Sequence, residues 1–78
     1  SGINETNTND IVKIYTTHRI INIEGLSKNE PIMLYTTNGT LIDKSVSSNG
    51  SAQLHVKGIG MYLVKWANNI VKVIVPNE

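Results

Sequence analysis

The sequence predicts an all-β domain, and three observations carry that expectation. Ile and Val together number eighteen among the 78 residues, against nine for Leu, Met and Ala combined. β-Branched side chains lose rotamer freedom in a helix and fit a pleated surface. Ten Asn and six Gly punctuate the chain at short intervals, and no stretch shows the apolar spacing of an amphipathic helix. Several short strands at close spacing point to a sandwich or a barrel.

Residues 1–10, SGINETNTND, are polar, offer little to bury and read as a flexible linker; Ser1-Gly2 has the look of a tag remnant. A single folded domain is expected over 11–76, with 77–78 as a tail. Its strands are expected at 11–15, 18–24, 31–36, 40–46, 51–56, 61–67 and 70–75. The expected breaks are Thr16-Thr17, Gly25 to Glu30, Asn38-Gly39, Ser47 to Gly50, Lys57 to Gly60, and Asn68-Asn69.

The tripeptide Tyr-Thr-Thr occurs twice, at 15–17 and 35–37, after an apolar residue each time. The copies diverge beyond it, into His18-Arg19 and Asn38-Gly39, so both read as strand ends rather than as a duplicated site. Strand 31–36 is apolar on both faces, as a central strand would be, with Pro31 at its start, where a missing ladder donor is tolerated. Asn38-Gly39 suits a two-residue type I′ turn, which would set Tyr35 against Ile42 and Leu34 against Asp43. Strand 40–46 turns polar after Ile42 and reads as an edge.

The last hairpin is the most informative. With Asn68-Asn69 as its turn, Trp66 would face Val71, Val64 would face Val73 and Tyr62 would face Val75. These six residues are the expected core contribution. Lys65 would then lie opposite Lys72 on a wetter outer face. A one-residue slip would carry lysines into the apolar side.

The chemistry search is mostly negative. No cysteine is present, so neither a disulfide nor a thiolate metal site is expected. His18 and His55 lack a convincing third metal ligand, the available carboxylates being Glu24, Glu30 and Asp43. Asp43, His55 and the serines of 45–51 could be written as a triad, but nothing resembles a nucleophile elbow, and short strands leave little room for a cleft. Lys57-Gly58-Ile59-Gly60 leads into a strand and not into the helix a phosphate cradle requires. No enzyme activity and no cofactor are therefore expected. A net charge of +1 with dispersed basic residues argues against nucleic acid, and no apolar run reaches the roughly 18 residues of a spanning helix, so direct membrane insertion is not expected either. Tyr15 and Tyr35, at strand ends, are candidates for a half-exposed aromatic ligand site. Asn4, Asn38 and Asn49 begin N-glycosylation sequons, two of which are ordinary turn sequences.

In order, the chain reads IYTTHRIINIEGL, IMLYTTNGTLI, LHVKGIGMYLVKW and IVKVIV. Through Tyr15, Gly25-Leu26, Tyr35, Asn38-Gly39, Gly60, Tyr62, Val64 and the Lys72–Val75 strand, residues 11–75 resemble the C-terminal sorting domain of the type IX (Por) secretion system of Bacteroidetes. The chain departs from that pattern in having Thr16 to Arg19 where members often carry a Pro-Asn-Pro turn. It also follows its last strand with Pro76-Asn77-Glu78 in place of a basic residue. The resemblance implies a seven-stranded antiparallel Ig-like β-sandwich at the end of a larger cargo protein bound for the cell surface through the periplasm and outer membrane. The implied partners are an outer-membrane translocon and a surface sortase-like peptidase that cuts in the linker at 3–10 and joins the cargo to lipopolysaccharide. The expected recognition surface comprises Lys65, Lys72, Pro76, Asn77 and Glu78. The competing expectation is an Ig-like accessory module of a surface glycanase or adhesin, which binds glycan through Tyr15 or Tyr35 or acts as a spacer.

Overall fold

A computed structural model describes residues 12–77; the expected linker, its cleavage region and Glu78 lie outside them. Seven strands follow one another: β1 (Lys13–Thr17), β2 (Ile20–Glu24), β3 (Pro31–Thr36), β4 (Leu41–Val46), β5 (Ser51–His55), β6 (Gly60–Trp66) and β7 (Asn69–Val75). They form two antiparallel sheets, β1-β2-β5 and β4-β3-β6-β7, stacked as a β-sandwich. No helix occurs among the described residues. As the apolar pattern requires, β3 is internal to its sheet and β4 is an edge.

The core lies between the sheets. Ile21, Ile23, Ala52 and Leu54 enter from one side and Ile32, Leu34, Val64, Trp66, Val73 and Val75 from the other. Tyr62 and Val71 are partly buried against it, so all six inward residues expected of the last hairpin face the core. The Tyr62 hydroxyl donates to the Gly58 carbonyl at 2.8 Å. A phenol that would otherwise sit unpaired at the core margin thereby ties down the β5–β6 connection. Ser47, also buried, joins two loops: its hydroxyl donates to the Ser27 carbonyl (2.5 Å) and accepts from the Glu30 N–H (2.8 Å).

The turns correct the expected registers. Thr16 and Thr17 belong to β1, and the first hairpin turns at His18-Arg19, with φ of 49° and 68°. Asn38-Gly39 is part of a three-residue loop closed by Thr36 N–H to the Thr40 carbonyl (2.9 Å), with Gly39 at φ 94°. That loop, with a bulge after Leu34, keeps Leu34 opposite Asp43 but sets Tyr35 against Leu41 instead of Ile42. The tight Asn-Gly turn occurs at Asn49-Gly50, where both φ angles are positive (54° and 82°) and Ser48 pairs with Ser51. A Cβ on Gly50 would also approach the Leu26 carbonyl to 3.3 Å, so the positive φ and the tight contact both favour glycine there.

The last hairpin turns one residue earlier than expected, at Ala67-Asn68. Trp66 pairs with Asn69, Val64 with Val71 and Tyr62 with Val73. The shift is two residues in pairing, so every side chain keeps its face. It also places Lys65 opposite Ile70 and Lys72 opposite Leu63, which separates two ammonium groups that the expected register would have set directly against each other. The turn forces Ala67 to φ 52°, a left-handed conformation that costs an L-residue about 1–2 kcal/mol. Ala67→Gly should therefore raise stability by about 0.5–1 kcal/mol after the entropy of glycine is subtracted. In a thermal melt the midpoint should rise by about 2–8 °C; a fall would place the turn elsewhere.

Candidate recognition surface

The outer face of the four-stranded sheet is built by the odd-numbered residues of β3, β6 and their partners. Across the strands run the rows Lys44–Met33–Lys65–Ile70 and Leu41–Tyr35–Leu63–Lys72, followed by Met61–Ile74. Ile70 and Ile74 are 64% and 63% exposed, and Leu41 and Met61 are also open to solvent. Pro31, Met33, Lys44 and Val46 help line a hollow of about 450 Å³ at one end. The face around the two lysines is the solvent-facing one, as expected, but between the lysines its ground is aliphatic. The signal was present in IVKVIV, where Ile70 and Ile74 flank Lys72 on the side turned away from the core.

Three lysines stand on this face, and the outward positions of its strands carry no carboxylate. Lys44 and Lys65 are two strands apart, about 10 Å at the usual strand spacing, close to one Debye length at physiological salt. At that separation salt screens them largely from each other, so the face carries dispersed positive charge. Asp43 points away from it. Its carboxylate accepts from the His55 backbone N–H and the Lys44 backbone N–H, both at 2.9 Å. The first of these bonds ties the free edge of β4 to that of β5 across the sandwich. Asp43 and His55 thus meet through a main-chain amide, a structural bond rather than the imidazole pairing that a triad would require.

Pro76 and Asn77 continue from β7 and are exposed. Tyr35 lies within this face, its hydroxyl directed at the Met33 sulfur (3.7 Å). Tyr15 lies on the outer face of the other sheet, so the two tyrosines do not form one aromatic site. The Tyr15 hydroxyl donates to Glu24 Oε2 at 2.8 Å; that bond, with lesser contributions from desolvation and the carboxylate's charge, raises the phenol's pKa. Around Tyr15 a groove of about 400 Å³ crosses the sheet, so the surface is less closed than short strands suggested. Among the described residues no three His, Cys, Asp or Glu side chains cluster as a metal site would need.

No family model, no curated protein and no solved structure matches the chain.

Proposed function

We propose that this domain is a non-enzymatic sorting module of the type IX kind, which works by being bound. In this reading an outer-membrane translocon recognises it and delivers a larger N-terminal cargo to the cell surface. The observation that carries the proposal is the lysine-flanked aliphatic face of β4-β3-β6-β7. Exposed aliphatic side chains rimmed by charge commonly mark a surface that binds another protein. The partner's complement is an apolar surface bearing carboxylates, since the face supplies cations and no anions. Lys65 and Lys72 are the charged contacts, Leu63, Ile70 and Ile74 the apolar ones, and Pro76 and Asn77 extend the surface beyond β7.

An Ig-like description of the sandwich belongs to the same proposal. β1-β2-β5 against β3-β6-β7 follows the A-B-E and C-F-G division of Ig domains, with β4 joined to the C strand instead of to E. Tyr62 supports it further: it stands near the start of the sixth strand and donates to a carbonyl four residues upstream, the arrangement called a tyrosine corner.

Residues 1–78 fused behind a periplasmic reporter should carry the reporter to the surface of a type IX-competent host, and should fail to do so in a host lacking the translocon. A reporter that remains periplasmic in the competent host rejects the sorting role.

A further inference from the structure

The groove on the three-stranded sheet has a chemistry of its own. Its floor is the row Tyr15–Asn22–Gln53, one residue from each strand, all pointing away from the core. Asn22 is buried and fully engaged: its amide N–H groups reach Thr17 Oγ1 (2.9 Å) and the Tyr15 and Ile20 carbonyls (both 3.4 Å), and its Oδ1 accepts from Gln53 Nε2 at 3.0 Å. This network fixes the Gln53 amide while leaving its Oε1 without a partner among the described residues. Tyr15, 46% exposed, is held by Glu24. Beyond Gln53 the groove is walled by serine hydroxyls and His55.

We propose that this groove binds a neutral saccharide chain. The lining supplies an aromatic ring for the C–H face of a sugar, an amide with a free acceptor, a carboxylate, and hydroxyls spaced along an open channel. Such convergent polar groups beside one aromatic are what orient a polyhydroxylated ligand. No lysine or arginine lines the groove, which disfavours phosphate, sulfate and acidic sugars. The single carboxylate, Glu24, disfavours a cation. The polar side chains of its lining disfavour a purely apolar ligand. The floor of the groove is on β1, β2 and β5 and its far wall includes Ser45 and Val46 of β4; no lysine of the other face lines it, so either proposal can fail alone.

Affinity electrophoresis in gels containing amylopectin, a mixed-linkage β-glucan or mannan tests it, with alginate as an acidic comparison. At least one neutral polymer should retard the domain. Tyr15→Ala and Gln53→Ala should each weaken that retardation about tenfold. Tyr15→Ala should keep a thermal midpoint close to the parent's because its side chain lies outside the core, whereas Gln53→Ala removes the donor to buried Asn22 Oδ1 and should melt lower, so its retardation is compared well below its own transition. Absence of retardation by all three neutral polymers overturns the proposal. Equal retardation of parent and variants also overturns it, as does retardation by alginate alone, which would assign binding to the lysines.

Discussion

Leu34→Ala should lower the thermal midpoint of this domain by about 10–30 °C. Leu34 is fully buried on β3, paired with Asp43 on one side and Val64 on the other, within the layer that Ile32 and Trp66 continue. Removing a buried leucine side chain costs about 2–5 kcal/mol, the upper end applying where strands cannot close over the gap. β3 is an internal strand whose backbone is bonded on both sides, so its freedom to collapse is small. A chain of this size has a total stability of about 4–12 kcal/mol, and each kcal/mol moves the midpoint by about 4–8 °C. Trp66, the sole tryptophan and a buried one, reports the transition by its fluorescence and is untouched by the substitution. Leu41→Ala, on the solvent side of the edge strand β4, is the control and should change stability by less than about 0.5 kcal/mol. Similar effects from both leucines would mean that the inward and outward faces are misassigned.

That assignment was the most legible part of the chain. Alternation in Tyr62, Val64, Trp66 and in Val71, Val73, Val75 names the inner face whichever turn joins the strands, because a two-residue shift leaves side-chain parity unchanged. The pairing itself was less legible. Asn68-Asn69 looks like the better turn, yet the chain turns at Ala67 and accepts a left-handed alanine. In doing so it aligns Asn69–Val75 along the whole of Gly60–Trp66 and avoids facing Lys65 with Lys72. Local turn preference, worth about 1–2 kcal/mol, yields to sheet register. Asn38-Gly39 and Asn49-Gly50 make the same point, since identical dipeptides adopt different turns according to the strands they join.

The candidate surfaces were legible only in pieces. Lys65 and Lys72 could be placed on the outer face from alternation alone. That Lys44 and Met33 continue their row depends on β3 lying between β4 and β6, a long-range pairing that no local pattern encodes. The groove around Tyr15 was hidden for a related reason. Tyr15 and Asn22 meet within one hairpin, but Gln53 lies 31 residues beyond Asn22 and joins their row only because β2 bridges β1 and β5. Buried Asn22, in an otherwise apolar Ile-Ile-Asn-Ile strand, was the available signal, since a polar side chain placed there must find partners.

The pair Ile70→Glu and Lys72→Glu should cut surface delivery of a fused reporter by at least about tenfold while leaving the domain folded. Residues at the centre of an interface commonly cost more than about 1–2 kcal/mol when disrupted, and 1.4 kcal/mol is already about a factor of ten. Both positions lie on the outward side of an edge strand, where charged residues are well tolerated and even protect against unwanted pairing. The thermal midpoint should therefore move by no more than about 5 °C. Under the proposed sorting role the effect has two physical parts: Ile70→Glu introduces a charge that the apolar surface proposed for the partner must desolvate, and Lys72→Glu sets like charge against its proposed carboxylates. Like-charge repulsion can be screened and desolvation cannot, so raising the salt in a binding assay with isolated translocon should rescue Lys72→Glu in part and Ile70→Glu hardly at all. Lys57→Glu, in the β5–β6 connection, changes the net charge as much as any single substitution of this type at a lysine but lies outside the face, and it should export normally. Undiminished export of the double variant, or equal losses from Lys57→Glu, would remove the β4-β3-β6-β7 face from the recognition step.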